Sequence, residues 1–131
     1  MRMKAVKTNG VLFVTGGVGY GLIELLWRGR THWSMLVAGG LCFMMFAAVA
    51  EKWRHRSLLF KAVVCAFGVT AVEFVFGLIF NVLLHKNVWD YSDEPLNVMG
   101  QICPLYTVLW GILALGVVPL AKQFKRWIHT L

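Results

Sequence analysis

Val14–Arg30, VTGGVGYGLIELLWRGR, is the stretch whose reading decides the fold. Val18-Gly19-Tyr20-Gly21 repeats four letters of the potassium-filter sequence TVGYG. That filter is a re-entrant loop whose carbonyls point at a pore, contributed by four copies. It needs a pore helix before it and a spanning helix on each side. Here a short basic segment precedes the apolar run, and position 17 is Gly where the filter has Thr. The stretch therefore reads as part of a spanning helix. Gly17 and Gly21 have the small-xxx-small spacing that lets two helices approach closely. Gly16, Tyr20, Glu24 and Arg28 fall on a neighbouring stripe at i, i+4 spacing.

Outward from this stretch, the whole chain has the same character. Its 131 residues are 59% hydrophobic and 15% charged. Four apolar runs approach or exceed the roughly 20 residues that cross a bilayer. The expected fold is all-α membrane, a single integral membrane domain over 1–131 with helices at about 10–27, 33–50, 58–84 and 95–121. Ten basic residues lie on one side of the expected membrane: Arg2, Lys4, Lys7, Lys52, Arg54, Arg56, Lys61, Lys122, Lys125 and Arg126. Three lie on the other: Arg28, Arg30 and Lys86. The positive-inside rule then places both termini in the cytoplasm, as expected of a multi-pass protein of the cytoplasmic (inner) membrane. The net charge of +7 is distributed for topology and anionic lipid. The expected partner is the lipid bilayer and no nucleic acid. The first run is longer than a signal-peptide core and has no convincing cleavage site, so it is expected to be retained. Cys42, Cys65 and Cys103 all sit in apolar runs, as structural thiols would.

The second half echoes the first. Glu24 and Glu73 are each followed by a polar connection containing a Trp, Trp33 and Trp89. Each following run opens alike, LVAGGLC and NVMGQIC, matching Gly39 with Gly100 and Cys42 with Cys103. This suggests two duplicated helical hairpins in parallel orientation, as in transporters whose repeat axis lies along the membrane normal.

Intramembrane carboxylates are costly and mark functional sites by default. Glu73, Gly77 and Asn81 share one helical face, and Glu73 has no cation nearby in sequence. Glu24 stands near the outer end of the first helix, where it can join a site or simply pair with Arg28 one turn on. The third connection adds Trp89, Asp90, Tyr91, Asp93 and Glu94, followed by Asn97, Gln101 and Tyr106. Pro104, read inside the fourth helix, would free the carbonyl of Gly100. The expected substrate or ion pocket comprises Glu24, Glu73, Asn81, Trp89, Asp90, Tyr91 and Asn97, acidic and opening outward. Helix packing is expected at Gly17, Gly21, Gly77 and Gly100. Trp33, Trp89 and Tyr91 also stand where an aromatic belt would place them. The four histidines have no metal-ligand spacing, so no metal is expected, and neither is a cofactor. No nucleophile motif, phosphate loop or redox pair is present.

The block Trp89-Asp90-Tyr91-Ser92, then Asn97, then Gly100-x-Ile102-Cys103 resembles the CmpB-like putative ABC-transporter permeases of type IV, a family of small four-helix membrane proteins. Glu24 in a Gly-rich first helix and the Glu73, Gly77, Asn81 face also match that family. The resemblance implies transport, and any ATPase would be a separate subunit. Three functions are weighed: a transporter or channel component, a membrane-embedded enzyme acting on a lipid or lipid-linked substrate with Glu73 or Asp90 as base, and a structural or regulatory subunit. Four helices are few for a pathway, so a homo-oligomer or a partner membrane subunit is expected.

Overall fold

Four helices, each long and apolar enough to cross a membrane, account for most of the described residues. They are α1 (Arg2–Arg28), α2 (Trp33–Lys52), α3 (Leu58–Gly77) and α4 (Pro104–His129). The computed structural model describes residues 2–130, with side chains from residue 6 onward. The side chains of Arg2 and Lys4, two of the cations behind the expected topology, lie outside the described residues.

Local sequence starts and ends these helices. His32 accepts the backbone N–H of Ser34 through Nδ1 at 3.2 Å and so caps α2. Ser57 does the same for α3, its hydroxyl accepting from Phe60 N at 3.1 Å. Beyond Gly77 the third helix widens into a π-helical turn, Leu78–Leu83, closed by Leu84 N donating to Ile79 O at 3.0 Å. α1 begins well before the apolar run, because Lys, Met and Ala sustain a helix as readily as apolar residues do. α4 differs more. Residues 95–103, expected to be helical, are irregular, and Pro104 occupies the first turn of the helix. The proline ring disfavours helix at the preceding residue, and Cys103 is extended at φ −153, ψ 156. Pro104 therefore breaks no helical hydrogen bond and frees no carbonyl at Gly100, contrary to expectation.

α1 packs chiefly on α2 and α3 chiefly on α4, while α2 touches both later helices and α1 barely meets α4. Small side chains allow the close packing that holds membrane helices together: Ala47, Ala50, Ala62, Cys65, Ala114 and Ala121 lie in the core with Leu12, Phe46 and Val118. Between α1 and α2 the backbones themselves nearly touch. A Cβ on Gly17 would lie 2.7 Å from Leu36 O, and one on Gly40 would lie 2.6 Å from Phe13 O. Gly21 abuts the Leu36 side chain and Gly16 abuts Phe43. Large apolar side chains fill the outer faces. Leu26 is 90% exposed and Trp27 79%, an arrangement suited to lipid rather than water. The chain is a multi-pass membrane protein.

Both the α1–α2 and α3–α4 connections lie at one end of the bundle, where Trp33 and Phe80 meet edge to face at 5.2 Å. At the opposite end Lys125 pairs with Glu51.

Candidate functional site

The α3–α4 connection folds back on the bundle, held by side chains that satisfy its backbone. Asn81 receives the Val88 N–H at 2.7 Å and donates to Gln101 Oε1 at 2.8 Å. Gln101 Nε2 donates to Met99 O at 2.8 Å, and Trp89 Nε1 donates to Gln101 O at 2.9 Å. Arg28 reaches across from α1 to Val88 O at 2.5 Å. Gly77 leaves room for Gln101, whose Oε1 would lie 2.5 Å from a Cβ there. Irregular backbone near a membrane is tolerated where protein buries it, and this network does that.

The same connection delivers Tyr91 to Glu73. The Tyr91 hydroxyl donates to Glu73 Oε2 at 2.9 Å, and its ring stacks on Tyr106 with centroids 4.6 Å apart. Burial first, and then the Glu73 charge, push the Tyr91 phenol above its ordinary 10.0. Glu73 is 7% exposed and Glu24 4%, on different helices. Glu24 pairs with Arg28 at 3.3 Å, the i, i+4 partner the spacing allows. Tyr20 lies within electrostatic reach of both carboxylates. Glu73 Oε1 is buried without a hydrogen bond, and so is the indole Nε1 of Trp110. The indole faces Glu73 as a donor, at a geometry looser than a normal hydrogen bond.

These residues border two adjoining hollows of about 250 Å³ each. One runs inside the bundle past Glu73, Gly39, Cys42 and Phe46 to Val117 and Leu120. The other lies between α1 and α4 and is lined by Glu24, Trp27, Arg28, Tyr91, Tyr106 and Leu109. Tyr20, Ile23, Met35, Trp89, Trp110 and Leu113 border both.

Of the seven residues expected to converge, Glu24, Glu73, Trp89 and Tyr91 do line this space. Asn81, Asp90 and Asn97 build the connection instead. Asn97 donates to Glu94 O at 2.9 Å and accepts Gly100 N at 2.9 Å. Asp90 is exposed and accepts Ser92 N at 2.9 Å, and the Ser92 N–H, then the Ser92 hydroxyl, hold its carboxyl below the ordinary range. The hollow within the bundle is walled mainly by alkyl and aryl groups, with the carboxylates confined to part of its wall, so the expected acidic lining is only partial. Gly100 packs no helix. It turns the connection at φ +73, in the left-handed region that favours glycine. Trp89 is buried at 7% exposure, unlike a belt residue. The matched segments LVAGGLC and NVMGQIC have different backbones, helical in α2 and irregular before α4.

Nothing in the sequence distinguishes Trp110, because an indole in an apolar run looks like core. Tyr20 is legible there, one turn before Glu24 on the same stripe, although it is not among the seven residues expected to converge.

A family model described as "Putative ABC-transporter type IV" matches residues 28–130. No curated protein and no solved structure matches the chain.

Proposed function

The chain belongs to the family described as putative ABC-transporter type IV, and from that premise we propose that it is the membrane-embedded part of a transport system. Its substrate site is the space bordered by Glu73 and Glu24. The observation that carries this reading is Glu73: a carboxyl on the cavity wall, buried, with one oxygen bound to Tyr91 and the other unpartnered. A carboxyl kept only for helix packing would be expected to use both oxygens on neighbouring helices. Both termini are cytoplasmic in this reading, so the Trp89–Tyr91 segment caps the site on the outer side. The chain carries no phosphate-binding loop motif, so ATP hydrolysis belongs to a partner subunit. That partner, or a second copy of the chain, completes the pathway in the cytoplasmic membrane. The duplicated-hairpin ancestry is kept as part of the proposal, on the paired positions of Glu24 and Glu73.

An enzymatic reading would rest on Glu73 alone, because Asp90, the other candidate base, is exposed and occupied by Ser92.

The test compares three strains of the source organism: wild type, a null, and Glu73→Gln at matched protein level. Profiling of lipids and small molecules should show the Glu73→Gln strain accumulating or losing the same compounds as the null. A Glu73→Gln profile equal to wild type would contradict the proposal.

A further inference from the structure

The main hollow is closed toward both aqueous sides and open toward the bilayer. Resting on the transport reading, we infer that the substrate is a bilayer lipid, one of whose acyl chains enters this hollow sideways between α1 and α4 while its headgroup stays outside.

Closure is visible at each end. At the end that holds Lys125 and Glu51, Leu12, Ala50, Ala62, Val118 and Ala121 join in one core, each at most 2% exposed. At the other end the folded-back α3–α4 connection lays the buried Trp89 on the wall of the hollow, and the Tyr20 and Trp110 rings approach to 6.1 Å between α1 and α4. A water-soluble solute has no entrance at either end. The side between α1 and α4 is different, because those helices barely touch. Ile23 on α1 and Leu120 on α4 both border the hollow, yet they are 51% and 61% exposed. The rim of the hollow is therefore also lipid-facing surface. Gly19 lies on the same rim, with open space where a Cβ would stand.

The acyl chain follows from the walls and the shape. The walls are mainly alkyl and aryl groups. Water is a poor occupant, since apolar cavities stay dry. An empty hollow would leave its wall atoms without dispersion partners. Lipid tails are as apolar as the leucines they would touch, so a chain enters without being desolvated. A charged headgroup in the same place would lose its water and find few partners. From Trp110 to Leu120, two wall residues on α4, the hollow extends about 15 Å along the helix axis. Its volume of about 250 Å³ falls below the roughly 300–1,000 Å³ of ordinary ligand pockets, which suits one extended chain rather than two.

The experiment reconstitutes the full chain in phosphatidylcholine vesicles with a trace of phosphatidylcholine carrying a photoactivatable diazirine. The diazirine sits either midway along one chain or on the headgroup, and labelled residues are mapped. The chain probe should label Phe46 and Val69, which wall the hollow and are buried from surrounding lipid, as well as the lipid-facing Leu22 and Val108. The headgroup probe should label neither Phe46 nor Val69. Gly19→Phe places a ring in open space on the rim. It should abolish labelling of Phe46 and Val69 while Leu22 and Val108 keep theirs, which also reports that the bundle still forms. Leu113→Trp should do the same from the α4 side. Gly116→Phe, which also meets open space but borders neither hollow, should leave the labelling unchanged. Absence of label at Phe46 and Val69, whether because α1 closes onto α4 or because a second copy fills the gap, would overturn the inference. So would label there from the headgroup probe, or chain label that survives both Gly19→Phe and Leu113→Trp. If wall labelling is absent while Glu73→Gln behaves as the null in cells, the substrate class is wrong and the transport reading stands. If it is present while Glu73→Gln cells match wild type, the chain site is right and the transport reading falls.

Discussion

Glu73 and Tyr91 meet across a long sequence separation, and their hydrogen bond at 2.9 Å ties the α3–α4 connection to the bundle interior. Tyr91→Phe leaves a buried carboxyl oxygen with one partner fewer, which costs about 1–3 kcal/mol. The cost should depend on pH. The folded-state phenol titrates above its ordinary 10.0 because burial and Glu73 disfavour the phenolate. Below that value both states hold the proton and Tyr91 contributes fully. Above it the unfolded chain releases the proton while the folded chain keeps it, so stability falls as pH rises. Reversible unfolding in detergent should show wild type above Tyr91→Phe near neutral pH, with the gap narrowing above about pH 10. A constant gap would mean that the phenol is not buried against Glu73. At this scale the sequence is partly legible. Hydrocarbon forces Glu73 inward, since a lipid-facing carboxylate costs roughly 2.5–3.5 kcal/mol even on the lenient scale. Which aromatic groups would meet it depends on a connection whose turns, at His85, Asn87, Leu96 and Met99, place non-glycine residues at positive φ, and local sequence pattern does not reveal such turns.

Among the elements, α1 and α2 show how closely two spanning helices can approach when glycine lines the contact. Gly17 faces a backbone carbonyl that cannot move aside, whereas Gly19 has open space beside it. Gly17→Ala should therefore destabilise the protein by about 1–3 kcal/mol, as overpacking does, and Gly19→Ala should be neutral or slightly stabilising through helix propensity. Equal effects of the two in detergent unfolding would show that α1 does not pack through Gly17. Spacing identifies the stripe but not its partner, because Gly17 and Gly21 could equally have met another copy of the chain. The start of α4 departs from its hydropathy for a related reason. Hydropathy continues through Val98 and Ile102, while the backbone there is governed by Gly100 and Pro104, so an apolar run and a helix part company.

For the whole molecule, four apolar lengths and their lipid-facing surfaces agree, and this level of the fold is the most legible because bilayer thickness sets it directly. Orientation rests on the ten-to-three basic bias. A reporter active only in the cytoplasm should give a signal from the C-terminus and none from an insertion at Asp93. The reverse would invert the site, placing the Trp89–Tyr91 cap on the cytoplasmic face. The bundle is fully packed around Ala47, Cys65 and Ala114, but along α1 and α4 it stays open beside the buried Glu73 carboxyl. The central claim is that this space is a binding site rather than a packing defect. The direct measurement is an experimental density map of the protein in lipid nanodiscs. The account predicts an elongated density between α1 and α4 that ends at Glu73 and Trp110. A map in which α1 closes onto α4, with no density between them, would contradict it.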